Sequence, residues 1–297
     1  MKITVLGAGA IGSLFGGYLA LDHEVTLICR ESHTEAIRKR GLSVTGLGNF
    51  VVRPRAVSSA AGLEPPELLF LTVKSYDTPA ALADVKSLLA PKTVLVTLQN
   101  GLGNVDTLKD AFPEARLVAG ITSHAAIHTA PGVVEHTGKS YTLVGGSEDA
   151  AAVARVLTET GFETGVSDDI ERDIWYKALV NSAINPVATL LKEKNRAIFL
   201  RHELAPLIEG IVTEGVEVAF ARGISLDVDI ALEKVMTVAR ETANNVCSMR
   251  QDIEHGRRTE IMEMNGAIAR YGDETGVPTP VNGLLTALVQ ALEPRNA

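Results

Sequence analysis

Short β-branched and apolar runs alternate with helical patterns through the first half of the chain, and long helical patterns take over in the second half. The opening strand Lys2-Ile3-Thr4-Val5-Leu6 runs into Gly7-Ala8-Gly9-Ala10-Ile11-Gly12, then into a small-residue helical pattern through Ser13, Gly16, Gly17, Leu19 and Ala20. The pattern predicts strands at residues 24–29, 42–45, 50–53, 68–73 and 94–98 and a helix at 79–89, with Pro65-Pro66 and Pro91 as punctuation. Residues 121–127, 133–136 and 141–144 read as a meander finishing the sheet, followed by a helix at 149–160 and a strand at 163–166. From Ser167-Asp168-Asp169 onward, with Ser167 or Asp168 as N-cap, helices are predicted at 169–192, 205–221, 228–240, 248–254, 260–275 and 281–292. The fold class is therefore α/β: a Rossmann-type doubly wound sheet over residues 1–167 and an all-helical domain over residues 168–297. Ligands should bind at the carboxyl ends of the strands, where Lys74 and Gln99-Asn100-Gly101 fall.

Two motifs carry candidate chemistry. In the first, strand, glycine turn and helix follow in order, so Gly7, Gly9 and Gly12, with Ala10 and Ile11 between them, suit a dinucleotide pyrophosphate on the helix N-terminus. The second strand ends at Arg30, near where an NAD-binding unit would carry an acid for the ribose 2′-hydroxyl. A guanidinium there can accept a 2′-phosphate, with Ser32 and His33 close behind as further donors, which favours NADPH over NADH. The second motif is Lys177, Asn181 and Asn185, one ammonium and two amides sharing a face of the apolar helical segment 175–191. Burying that cation is costly without a partner or ligand, so the stripe marks a site; a solvated polar face is the plain alternative. Pro186 disfavours straight helix at that point, which would put Asn185 at a kink that turns its amide inward.

Composition limits the rivals. A length of 297 residues suits two domains, and the formal net charge of −8 argues against a nucleic-acid partner. Cys29 and Cys247 form neither a CxxC motif nor a disulfide framework, so a reducing, cytoplasmic setting is expected. No apolar run reaches the roughly 18 residues of a membrane span. Residues 1–10 are read as strand and turn rather than as a secretory signal. His124, His128 and His136 could share a strand face, but no carboxylate or cysteine completes a ligand set, and no metal is expected. His124 is placed near the active-site floor or on backbone groups.

With these motifs the chain resembles the ketopantoate (2-dehydropantoate) 2-reductases over essentially its whole length. The most specific parts are the Lys177/Asn181/Asn185 helix and the segment from Ser248-Met249-Arg250-Gln251 to Arg258-Thr259-Glu260-Ile261. The resemblance implies that Lys177 is the catalytic acid and that Glu260 is the carboxylate binding the substrate hydroxyl. It implies that Asn181, Asn185, Asn195 and Ser248 are substrate ligands. It also implies that Asn100 lies by the nicotinamide and holds the lysine, and that Arg30 and Lys74 contact the adenosine phosphate end. Asp77 and Arg196 depart from the family's pattern, at a position near the cofactor and beside Asn195. The implied activity is NADPH-dependent reduction of ketopantoate to (R)-pantoate in pantothenate biosynthesis, in a cleft between the two domains.

Hydride delivery to a 2-keto acid creates an alkoxide that needs a positioned cation and then a proton, and a lysine supplies both. Glu260, if ionised beside Lys177, would raise its pKa, so it is expected at the far, hydroxyl end of the substrate, with a surface pair to Arg257 or Arg258 as the alternative. The rival readings are a paralogous 2-keto acid reductase, a β-hydroxyacid dehydrogenase, and a non-enzymatic NADP(H)-sensing protein. The expected partner is a small 2-keto acid. A homodimer is also considered, with residues 205–221 as either its face or part of the domain's own core.

Overall fold

The structure, a computed structural model, describes residues 1–294; the last residues of the predicted helical domain, 295–297, lie outside them. Contacts divide the chain into two units, one of Met1–Gln99 and Asn104–Ile170, the other of Asn100–Gly103 and Glu171–Ala297.

The first unit begins with β1 (Lys2–Leu6), α1 (Ala10–Leu19), β2 (Glu24–Ile28) and α2 (Glu31–Arg40), then β3 (Leu42–Gly46), β4 (Phe50–Val52) and β5 (Arg55–Val57). It continues with β6 (Leu68–Leu71), α3 (Thr78–Leu88), β7 (Val94–Thr97), α4 (Asn104–Ala111) and β8 (Arg116–Thr122). It ends with β9 (Ala125–Ala130), β10 (Val133–Gly138), β11 (Thr142–Gly145), α5 (Ala150–Glu159) and β12 (Thr164–Val166). The main sheet has the order β12-β11-β8-β7-β6-β1-β2-β5 and is parallel except where β11 runs against β8, Thr142 opposite Thr122. Strand period decides its layers. Val5, Leu27, Phe70 and Val96 join the core shared with α1 and α5, while Leu6, Ile28, Leu71 and Leu95 join the core shared with α3 and α4. The central strands are thus buried on both faces, as a parallel sheet requires. The chain crosses from one side of β1 to the other between β2 and β6, so the switch point lies at the carboxyl ends of β1 and β6.

The predicted meander does not form. β8 and β11 stay in the main sheet, but β9 and β10 leave it to build a second, four-stranded sheet in the order β4-β3-β10-β9, with β10 parallel to β3. Strand period is the same in either sheet, so the pattern could not tell which sheet claims a strand. α1 packs on this second sheet, with Gly17 against Val44. α2 and α4 escaped the sequence reading because their apolar faces are narrow: α2 buries only His33, Thr34, Ala36 and Ile37.

A buried imidazole network links α1, α2 and the second sheet. The Gly132 N–H donates to His33 Nδ1 at 2.8 Å, so the ring proton sits on Nε2, which faces Ser13 Oγ at 3.0 Å. His128 Nε2 also lies 2.9 Å from His33 Nδ1. His124 Nδ1 lies 3.3 Å from His136 Nε2, and Tyr18 Oη 3.2 Å from His136 Nδ1. Burial pushes His33 and His124 down to about 4, with His128 and His136 respectively adding to the effect. An unfolded chain regains an imidazole pKa near 6.5. Below that value it binds more protons than the native state, so stability is full above about pH 6.5 and is lost progressively towards pH 4. At about 1.4 kcal/mol per unit for each ring, several kcal/mol should disappear over that window. Urea midpoints measured from pH 7.5 to 4 should fall accordingly, and the fall should shrink in His124→Phe; a flat profile would contradict this.

The second unit is helical: α6 (Ile170–Leu191), α7 (Ala197–Leu200), α8 (Ala205–Ala221), α9 (Val228–Glu241), α10 (Ser248–Glu254), α11 (Asn265–Thr275) and α12 (Pro280–Gln290). Leu179, Ala183 and Val187 of α6 share its core with Ile208, Ile211 and Val212 of α8, Val235 of α9 and Ile268 of α11. α8 therefore spends its apolar face in the unit's own core. α6 continues through Pro186 and closes where Lys192 takes φ 54° and the Glu193 N–H reaches the Ala188 carbonyl at 3.0 Å. The single helix predicted over 260–275 is broken. A 3₁₀ turn, Ile261–Glu263, is followed by Met264 at φ −113°, ψ −104°, and α11 starts afresh at Asn265.

Candidate active site

In the first unit, the carboxyl ends of the adjacent strands β1, β2 and β6 carry the predicted cofactor residues other than Asn100, which belongs to the second unit. Gly7 adopts φ +97°, and a Cβ there would overlap the Val73 backbone nitrogen. A Cβ on Gly12 would overlap Thr72 Oγ1 and the Gly7 carbonyl, whereas one on Gly9 would meet nothing nearer than 3.9 Å. Gly9 is thus the open position of the loop, where a ligand can approach the backbone. It is the N-cap of α1, with no capping side chain and no acid in the first turn, so Ala10, Ile11 and Gly12 present their N–H groups at a helix start that favours an anion. The donor set fits a pyrophosphate.

Two supports of this loop escaped the sequence reading. Thr72 Oγ1 donates to the Gly7 carbonyl at 3.0 Å from the end of β6. Ser13 Oγ donates to the Ala8 carbonyl at 3.0 Å, and His33 Nε2 is 3.0 Å away. That corrects the role expected for His33: it is 3 % exposed with both ring nitrogens engaged inside the protein, so it braces the loop rather than meeting a phosphate. Arg30 is exposed at the end of β2 and is the N-cap of α2, next to the exposed Ser32. Lys74 is partly exposed after β6, where it precedes the short turn Ser75–Asp77. Gln99 ties the ends of β6 and β7 together, its Nε2 donating to the Val73 carbonyl at 3.0 Å and to Thr78 Oγ1 at 2.8 Å.

In the second unit, Lys177, Asn181 and Asn185 lie along α6; Lys177 and Asn181 are partly exposed and Asn185 is buried. Lys177 Nζ donates to Asn100 Oδ1 at 2.8 Å. The turn that carries Asn100 is pinned by the Leu102 N–H donating to the Glu263 carbonyl at 2.7 Å. Gly101 allows this approach: it has φ +87°, and a Cβ would overlap that carbonyl oxygen. Burial brings the Lys177 ammonium down to about 8, and Glu260 opposes the shift. Glu260 therefore acts electrostatically on the lysine, and desolvation still wins. Glu260 is itself 5 % exposed, and Arg257 pairs with Asp252 at 3.2 Å. Glu263, three residues on and unremarked in the sequence, has its carboxyl pushed up by burial and by Glu260. A lysine that holds or releases its proton near neutrality, beside a buried carboxylate, can stabilise an oxyanion and then protonate it.

The remaining predicted substrate ligands differ in availability. Ser248 is exposed at the start of α10. The Asn185 amide faces Met264 Sδ at 3.8 Å, and its backbone carbonyl accepts Thr189 Oγ1 at 2.7 Å. Asn195 is buried and donates to Thr242 Oγ1 at 2.9 Å, while its backbone N–H reaches the Asn245 carbonyl at 3.1 Å. It thus anchors the loop that leads to Ser248. His124 takes the backbone role, accepting the Ser140 N–H at 3.4 Å. No group of three potential ligands capable of holding a metal occurs among the described residues, and no described helix is long and apolar enough to cross a membrane.

Residues 3–149 match the family model described as ketopantoate reductase PanE/ApbA, and residues 169–293 match its C-terminal counterpart. The 2-dehydropantoate 2-reductase of Pyrococcus horikoshii is 41% identical over 299 residues, covering 99% of this chain and 98% of that protein. Among solved structures, the PanE/ApbA family ketopantoate reductase from Ralstonia eutropha JMP134 superposes with a TM-score of 0.91 at 31% identity, covering 98% of each chain. D-mandelate dehydrogenase with NADH and anilino(oxo)acetate superposes with a TM-score of 0.92 at 31% identity over the same share of both chains. By sequence over nearly its whole length and by fold, this chain belongs to the ketopantoate reductase family of oxidoreductases.

Proposed function

We propose that the chain reduces 2-dehydropantoate (ketopantoate) to (R)-pantoate with NADPH, a step of pantothenate and coenzyme A biosynthesis. The observation that carries this reading is the Lys177 ammonium, seated on Asn100 at 2.8 Å, lowered to about 8 by burial and faced by Glu260. When bound, the nicotinamide supplies the hydride to the 2-keto carbon. Gly7, Gly9 and Gly12 with Ala10 and Ile11 hold the pyrophosphate, and Arg30 and Lys74 hold the adenosine phosphate end. Lys177 stabilises the developing alkoxide and gives it a proton. Glu260 accepts the substrate hydroxyl, and Asn181 and Ser248 bind polar groups of the substrate without adding a second charge. Asn185 and Asn195 shape the same site from buried positions. The direct test is stoichiometric: NADPH consumed with ketopantoate should equal pantoate formed, all of R configuration. NADPH binding without consumption would favour a sensor instead.

Cofactor choice rests on Arg30. Arg30→Ala is expected to raise the KM for NADPH about tenfold, the worth of one charge-assisted contact, and to leave the KM for NADH unchanged. An equal change for both cofactors would remove the 2′-phosphate role. A 2-keto acid with another side chain is the second reading, favoured by the likeness to D-mandelate dehydrogenase.

A further inference from the structure

Pro186 lies inside α6 and has no N–H, so the bond that residue 186 would donate to the Ser182 carbonyl, four residues back, cannot form. Ser182 is fully buried, and an unfilled carbonyl there would be costly. The gap is filled from another helix: Asn265 Nδ2, at the first residue of α11, donates to the Ser182 carbonyl at 3.1 Å. The same amide nitrogen reaches Asn282 Oδ1 at 2.9 Å. Asn282 Nδ2 in turn donates to the Ile211 carbonyl at 3.2 Å and to Glu214 Oε2 at 2.7 Å. Glu214 is 8 % exposed and also accepts the N–H groups of Val281 and Asn282 at the start of α12. The network runs between two acceptors, the Glu214 carboxylate at one end and the Ser182 carbonyl at the other, so neither amide can flip without losing its bonds.

Asn265 directly follows the segment that carries Glu260 and Glu263, and the Glu263 carbonyl holds Leu102 beside the Asn100 turn on which Lys177 sits. The lysine helix and the carboxylate segment are therefore joined through Asn100–Leu102 at one end and through Ser182–Asn265 at the other, with the Asn185 amide on Met264 Sδ between them. We infer that Asn265 is a positioning residue: by filling the carbonyl that Pro186 strands, it fixes the register of the Glu260 segment on the helix that carries Lys177. The kinetic arm of this inference rests on the reductase reading above.

The test is a four-variant cycle: wild type, Asn265→Ala, Pro186→Ala and the double variant. Asn265→Ala should lower kcat about 10- to 100-fold, as a displacement of about 1 Å at reacting groups does, with KM for NADPH unchanged and KM for the keto acid moved less than kcat. Pro186→Ala returns an N–H to the stranded carbonyl, so in that background the Asn265→Ala loss should shrink to about threefold or less. Thermal midpoints read the same coupling without turnover: the Asn265→Ala drop should be smaller in the Pro186→Ala background. If Asn265→Ala does not fold and the double variant does, the inference is supported; if neither folds, it is overturned. A kcat within about twofold of wild type, or identical Asn265→Ala losses in both backgrounds, also overturns it. Should the wild type turn over no 2-keto acid, the reductase reading fails while the thermal cycle still decides the linkage.

Discussion

Lys177→Ala is expected to lower kcat/KM for ketopantoate by about 10³-fold or more while leaving NADPH binding intact. One preorganised oxyanion donor is typically worth about 10²- to 10³-fold, and loss of a positioned general acid adds to that. The pH dependence carries the sharper signature. Lys177 must be protonated to donate, and its value of about 8 places the decline of the reductive rate above about pH 8, where a lysine near 10.5 would show none until much later. The same depression makes a stability statement. Between about pH 8 and 10.5 the unfolded chain holds a proton that the native state has released, so this group's contribution rises with pH through that window and is most unfavourable below it. Lys177→Met should therefore raise the thermal midpoint at pH 7, partly offset by the lost bond to Asn100. A variant that is more stable and inactive is what a site built at the expense of stability should give. Residual activity above a tenth of wild type, or a midpoint that falls by several degrees, would contradict this.

Glu260→Gln is the second large effect. Glu260 supplies a buried acceptor for the proposed substrate hydroxyl, and a hydrogen bond to a charged group is worth about 1.5–3 kcal/mol, or roughly 10- to 150-fold in the KM for ketopantoate. Its charge also raises the Lys177 pKa against desolvation. Removing the charge while keeping the shape should lower that pKa further, so the alkaline limb of kcat/KM should move to lower pH by a fraction of a unit or more. Measuring KM and the full pH profile for the Gln variant checks both at once. An alkaline limb that stays put or moves upward would mean that the two groups do not interact as the structure shows.

The glycine turn and the lysine stripe were legible because each depends on spacing within one segment: strand, turn and helix in sequence order, and a helix face repeating every four residues. The braces around them were not legible. Thr72 and His33 reach the glycine loop from β6 and α2, and nothing at either position marks which backbone carbonyl or hydroxyl it will meet. Nothing in the sequence sets Glu263 apart, yet its carbonyl holds Leu102 and burial pushes its carboxyl up. Strand period marked β10, but it ran the end of β8 and the start of β9 together as one strand at 121–127, and it could not assign the sheet, because β10 pairs with β3, far back in the chain. Pro186 is the instructive case. It leaves the Ser182 carbonyl without its helical donor, and the donor that reaches that carbonyl comes from Asn265, far along the chain, where no local pattern could point to it.

The decisive measurement is kcat/KM for NADPH oxidation across a panel of ketopantoate, pyruvate, 2-ketoisovalerate and phenylglyoxylate, run beside Lys177→Ala. Turnover should be selective for ketopantoate and lost in the variant. Turnover confined to another keto acid would keep the lysine chemistry and overturn the substrate, and turnover that survives in Lys177→Ala would contradict the mechanism itself.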